Sequence, residues 1–213
     1  MANASRPKRR VIEGTPVLLV IDIQASTFID DSAVRSIDNM PGYRERMWEA
    51  RKVIDGARAA NIPIVFVQEV HRPDGIDFGR ELDGDEDVHC LEDRPGTALA
   101  VEEMDIRPSD YRVAKRRYSA FFGTDLEILL KGLKADTIIL VGGLTDVCVH
   151  YTFVDAHQHD YFCRVIEDCV AGSSLDAHEA SLRAMEYLQT GARMGLGPML
   201  EAMVGHDRAD RAA

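Results

Sequence analysis

No apolar run in the 213 residues approaches the roughly 18 that a membrane span requires, so no membrane partner is expected. Cysteine is scarce. Cys90, Cys148, Cys163 and Cys169 form no CxxC pair, which excludes a disulfide framework and leaves reduced thiols in a cytoplasmic protein as the expectation. Positive charge is also in deficit: 25 Lys and Arg against 36 Asp and Glu give a net charge of −11, which argues against a nucleic-acid partner. The chain shows no internal repeat and no interdomain linker. Its basic first ten residues are not followed by an apolar stretch long enough for a signal peptide, and residues 1–14 read as a flexible arm. What remains is ordinary globular composition, 46% hydrophobic and 29% charged, which fits one large domain over residues 15–205 with a polar tail at 206–213.

Continuous aliphatic runs dominate the pattern. Pro16 to Ile23 and Ile62 to Val67 read as strands buried on both faces, joined by a helix from Tyr43 to Ala60 whose Met47, Val53, Ile54 and Ala57 share a face. Residues 71–110 are rich in Asp, Glu, Gly and Pro, and read as an irregular insertion, either a functional lid or a surface excursion. Further strands are expected at 110–115, 137–143, 161–168 and, at an edge, 192–194. Helices are expected from Thr124 or Asp125 to Leu133, at 147–157 and at 176–189. The alternation predicts an α/β fold: a doubly wound, mostly parallel sheet of about six strands with helices on both faces, Rossmann-like.

Ligands bind such sheets at the carboxyl ends of strands. Three reactive residues fall there: Asp22, Lys115 and Cys148. Cys148 taken alone reads as an inert buried thiol. Its context, Gly142-Gly143-Leu144-Thr145-Asp146-Val147, is a strand, a glycine turn and a helix start, where free N–H groups and the helix dipole favour a thiolate and can hold an oxyanion. Asp22 is either a strand-end surface residue or a base for that thiol. Lys115 is either one of three solvated cations in Lys115-Arg116-Arg117 or a stabiliser of a carboxylate and an oxyanion. Cys163 and Cys169 read as structural, and Cys90 has no base apparent beside it.

Together these segments resemble the isochorismatase-like cysteine hydrolase superfamily, which includes nicotinamidases, N-carbamoylsarcosine amidases, ureidoacrylate amidohydrolases and biuret hydrolases. The resemblance rests on Leu18 to Gln24, Lys115 to Leu126 and Gly142 to Val149, with Asp155-Ala156 and Glu167-Asp168 as further matches. It implies an Asp22–Lys115–Cys148 triad and a cis peptide at Gly143-Leu144. It also implies an oxyanion hole from the Leu144 and Cys148 N–H groups, and hydrolysis of a C–N bond through a thioester. It implies a homo-oligomer, dimer or tetramer, acting on a small-molecule substrate.

The departures narrow this expectation. Nicotinamidases carry an Asp-x-His pair and a further His for a divalent metal, whereas no histidine follows Asp22 until His71, so no metal and no cofactor are expected. Glu69-Val70-His71-Arg72-Pro73-Asp74 is similar to biuret hydrolases, and His71 and Arg72 are read as overhanging the pocket; a simple turn is the other reading. Gln24, Phe28, Tyr118 and Phe122 are further candidates for substrate contact, with Tyr118 and Phe122 read equally well as core. Arg72, Arg116 and Arg117 can supply a local positive field. His150, His157 and His159 read as a helix end or subunit surface rather than ligands. Two alternatives stay open: an ether hydrolase using Asp22 as acid, and a non-catalytic small-molecule-binding homologue.

Overall fold

Residue alternation in the first strand sets the architecture. In β1 (Pro16–Ile21) every side chain is buried, with Val17, Leu19 and Ile21 on one face of the sheet and Leu18 and Val20 on the other. A strand apolar on both faces needs helices on both faces. The computed structural model describes residues 10–29 and 37–210, and it supplies them. β1, β2 (Ile64–Glu69), β3 (Tyr111–Lys115), β4 (Thr137–Gly143), β5 (Phe162–Ala171) and β6 (Arg193–Met194) form one all-parallel sheet in the order β3-β2-β1-β4-β5-β6. α1 (Tyr43–Ala59) and α5 (Leu196–Asp210) cover the Leu18 face. α2 (Leu126–Gly132), α3 (Cys148–Gln158) and α4 (Leu175–Leu188) cover the Val17 face.

The winding reverses between β1 and β4, and at that point the two strands touch almost backbone to backbone. Gly142 has φ +116°, and a Cβ there would lie 1.9 Å from the Ile21 carbonyl oxygen, so only glycine fits. The crevice at the carboxyl ends of β1 and β4 is where a ligand site belongs in this topology.

Several expectations shift. β2 runs to Glu69, two residues beyond the apolar core of its run, because parallel pairing with β3 continues through Glu69 and Lys115. β5 is longer than its apolar stretch and loses register against β4 between Leu140 and Gly142. α5 fills residues 196–205, where no element is expected, and runs on to residue 210 of the expected polar tail, whose residues 211–213 lie outside the described residues; Gly197, Pro198 and Gly205 hide its period, yet Met199 and Met203, one turn apart, are buried. Residues 1–9 of the expected arm lie outside the described residues. Residues 10–14 are tied down instead of loose: Arg164 donates to the Arg10 and Val11 carbonyls, and Glu13 N donates to Thr137 Oγ1 at 2.9 Å. The 71–110 insertion has little regular structure but is not a mere excursion. Phe78, Met104 and Ile106 are buried, and isolated bridges join His71 to Leu91 and Leu99 to Gln24.

Candidate active site

Four consecutive sheet positions end in a reactive group. Asp22 follows β1 with φ +51°, Glu69 closes β2, Lys115 closes β3, and Cys148 opens the helix after β4. Alternation explains why Lys115, and not Arg116 beside it, turns inward. Lys115 shares the buried face of β3 with Val113 and is fully buried, whereas Arg116 is partly exposed.

Lys115 Nζ is the hub. It lies 2.9 Å from Asp22 Oδ2 and 3.3 Å from Cys148 Sγ, and it is hydrogen-bonded to Glu69 Oε2. Cys148 Sγ is in turn 3.2 Å from Glu69 Oε2. Asp22 Oδ1 accepts from the Glu69 N–H at 2.7 Å, and Asp22 Oδ2 has no aligned hydrogen-bond donor. A buried lysine is tolerated here because burial, which would discharge it, is outweighed by the charges of Asp22 and Glu69, and its pKa stands well above the usual value. Burial likewise pushes Asp22 up; Lys115 pulls it down, Glu69 pushes it up again, and it titrates at about 6. Burial would also raise Glu69, but Lys115 and the bonds from His71 and His89 hold it well below the carboxylate range.

The thiol departs from expectation. A helix N-terminus favours a thiolate, yet burial raises Cys148 well above the ordinary thiol pKa; Lys115 opposes this, and Glu69 and Asp22 add to it. At rest the group is a thiol held between one cation and two carboxylates. Thr145 and Asp146 pin the turn before the helix. Thr145 Oγ1 pairs with His178 Nδ1 at 2.8 Å, and Asp146 accepts from Ser173 N at 2.9 Å. The cap position is Val147, with no side-chain cap. Among the described residues, neither the Leu144 nor the Cys148 N–H donates to a backbone carbonyl, and the Gly143-Leu144 bond is cis.

Asp22, Glu69, Leu144 and Cys148 line a cavity of about 860 Å³, large enough for a small molecule, with Lys115 buried behind them. Of the expected contact residues, Gln24 and Tyr118 line it. The Gln24 amide is already spent: Nε2 donates to the Glu69 and Thr97 carbonyls, and Oε1 accepts from the Cys90 thiol at 3.4 Å. The other four do not line the cavity. His71 is buried behind Glu69, stacked on Phe78. Arg72 is exposed beside Asp74, Phe122 is 64% exposed, and Phe28 packs on Trp48. Nor do Arg116 and Arg117 face it; they bind the Val70 and Asp77 carbonyls, and the arginines of the lining are Arg44 and Arg94. Sequence reasoning missed Glu69, whose one signal was a carboxylate ending a buried strand, the same signal that marked Asp22. It also missed Tyr43, Glu86 and His89, which nothing local distinguishes.

Glu69 faces two ways. Its Oε1 lies 2.8 Å from His89 Nε2 and 3.4 Å from His71 Nε2, and His71 Nε2 is 3.2 Å from Glu81 Oε2. The donor atoms of these four buried residues all lie within 4.8 Å of one another, and both Glu81 oxygens lack an aligned hydrogen-bond partner. Two imidazoles and two carboxylates suit a divalent ion such as zinc or manganese, so this set fits one. The lack of histidine after Asp22 therefore decides nothing, because His71, just past β2, and His89, from the insertion, are folded onto Glu69. Protons balance the same box: burial would lower His71, but Glu69 and Glu81 lift it to about 9, and His89 is raised by Glu69 as well. His150, His157 and His159 join no such group among the described residues.

Fold and site define a class first: an open parallel α/β domain with a thiol, a lysine and two carboxylates at its switch point. The chain belongs to the isochorismatase family, matching the Isochorismatase domain over residues 16–195. It is 30% identical to a protein of Arabidopsis thaliana named "Probable inactive nicotinamidase", over 80% of this chain and 88% of that one. It is 29% identical to the maleamate amidohydrolase of Pseudomonas putida, over 78% and 77%. A cysteine hydrolase structure from Pseudomonas syringae shares the fold, with a TM-score of 0.81 at 24% identity, covering 95% of this chain and 99% of that one.

Proposed function

We propose that the protein is a cysteine amidohydrolase that cleaves a C–N bond of a small amide, carbamoyl or ureido compound through a thioester, without needing a metal. The observation that carries this is the Cys148 thiol in contact with Lys115 and Glu69, with Asp22 on the same lysine, at the wall of one cavity. Likeness to a maleamate amidohydrolase supports the C–N class.

Asp22 Oδ2, the carboxylate oxygen without an aligned donor, takes the thiol proton as Sγ attacks the carbonyl carbon. The Leu144 and Cys148 N–H groups receive the developing oxyanion. Protonated Asp22 then passes its proton to the leaving nitrogen, and water cleaves the thioester. Lys115 stays charged throughout and lets two carboxylates share the site. Glu69 stays ionised and fixes both the lysine and the Asp22 carboxylate, the latter through its N–H. A divalent ion on Glu69, His71, Glu81 and His89 would supply a fixed positive charge behind Glu69; every step above uses the chain's own groups.

The test is ammonia release from nicotinamide, N-carbamoyl amino acids, ureidoacrylate, maleamate, biuret and simple amides, with Cys148→Ala beside wild type. Release that depends on Cys148 is the expected result; silence across all of them would sink the reading. Because two protonated histidines already neutralise the Glu69–Glu81 box, prolonged EDTA treatment is expected to leave turnover unchanged, and a loss restored by zinc or manganese would refute metal independence. The acid side of the pH profile belongs to Asp22. Only its ionised form accepts the proton, and its pKa stands at about 6, so kcat/KM should fall about tenfold per unit below that pH. A flat profile from pH 7 to 5 would remove Asp22 as the base.

A further inference from the structure

One polar group in the cavity wall has no part in the mechanism above. Tyr43 is the first residue of α1, and its ring packs against the Leu18-side core while its edge lines the cavity. Its hydroxyl lies against the last residue of β4: a Cβ built on Gly143 would come within 2.3 Å of Tyr43 Oη and 3.0 Å of two ring carbons. Gly143 therefore has to lack a side chain for the phenol to reach this place. The next residue is Leu144, whose N–H is one of the two oxyanion donors in the proposed reaction. The phenol shares the cavity wall with Asp22 and Cys148 and feels the charge of Asp22, which places it among the reacting groups. Burial and the negative charge of Asp22 keep it protonated, so the phenol can donate a hydrogen bond.

We propose that Tyr43 is a third hydrogen-bond donor to the substrate's carbonyl oxygen, working beside the Leu144 and Cys148 N–H groups. The proposal rests on the amidohydrolase reading, since it needs an oxyanion to receive the bond. It is distinct from a ground-state binding role. A donor aimed where charge develops lowers the barrier and not the affinity, so its removal should appear in kcat and leave KM nearly unchanged.

Tyr43→Phe keeps the ring that packs on the core, so its melting temperature should match wild type. Its kcat should fall about 100-fold at nearly constant KM, the size seen when one oxyanion donor is removed. A second readout does not depend on knowing the substrate. Benzaldehyde adds to a thiol to give a hemithioacetal: the S–C bond forms, the carbonyl π bond breaks, and the thiol proton ends on the new oxygen, which occupies the oxyanion position. Protection of Cys148 against iodoacetamide, followed by peptide mass, reports this adduct.

The expected result is protection in wild type and protection about tenfold weaker or more in Tyr43→Phe, with the uninhibited alkylation rate of Cys148 unchanged. Equal protection in both proteins, or a change confined to KM, overturns Tyr43 as an oxyanion donor while leaving the amidohydrolase reading intact. No protection in either protein overturns the oxyanion pocket itself and the proposal with it.

Discussion

Replacing Cys148 with alanine is expected to reduce amide turnover by about 10⁴-fold or more, to the level left by substrate binding alone, while the melting temperature moves by no more than a few degrees. The size of the effect follows from the geometry. Sγ is in contact with both the cation and a carboxylate, and alanine puts an inert methyl group at that place. The fold should survive because the side chain is small and Lys115 keeps Asp22 and Glu69 as partners. Rapid quenching of wild type with substrate should show an acyl adduct on the peptide carrying Cys148, and added hydroxylamine should divert it to a hydroxamate. Full activity in the alanine variant would move the chemistry to Asp22 alone, as in ether hydrolysis. A non-catalytic protein would show neither adduct nor turnover in wild type.

Lys115→Met should cost both activity and stability. Lys115 is fully buried, and the variant leaves two carboxylates facing each other across a space without a cation. Breaking a buried charge pair from one side costs about 3–5 kcal/mol, which in a chain of this length is roughly 10 °C in melting temperature. The pH dependence gives the sign. Without the lysine, burial and repulsion from Glu69 push the folded-state pKa of Asp22 still further above its unfolded value near 4. The folded variant then binds more protons than the unfolded chain above pH 4, so its stability falls as pH rises. The gap to wild type should be wide at pH 8 and narrow at pH 5. Adding Glu69→Gln to Lys115→Met should recover part of the loss. A variant as stable as wild type at pH 8 would show that the two carboxylates do not depend on Lys115.

Much of this molecule was legible in one dimension. Runs such as 17–21 and 137–141, apolar on both faces, leave no choice but a parallel sheet covered twice, because a buried strand must find helices on each side. Asp22 and Cys148 stood out because a charge ending an apolar strand and a thiol after a glycine turn are locally costly or locally favoured, and local context is what a sequence carries.

The rest was decided by pairing between strands. Glu69 ends a buried strand just as Asp22 does, yet it gains meaning only when β2 lies between β1 and β3 and sets its carboxylate against Lys115. His71 reads as a pocket residue after a strand end; the packing of Phe78, Glu81 and His89 turns it behind the wall instead. The thiol's pKa reverses for the same reason. The helix N-terminus is written in the sequence, but burial and two neighbouring carboxylates are not, and in this site they outweigh it. What the sequence by itself determined was the sheet and the glycine turn that presents Cys148. Which charges surround that thiol was decided by the tertiary structure, because electrostatic energy depends on distance and burial, and both are set by residues far apart in the chain.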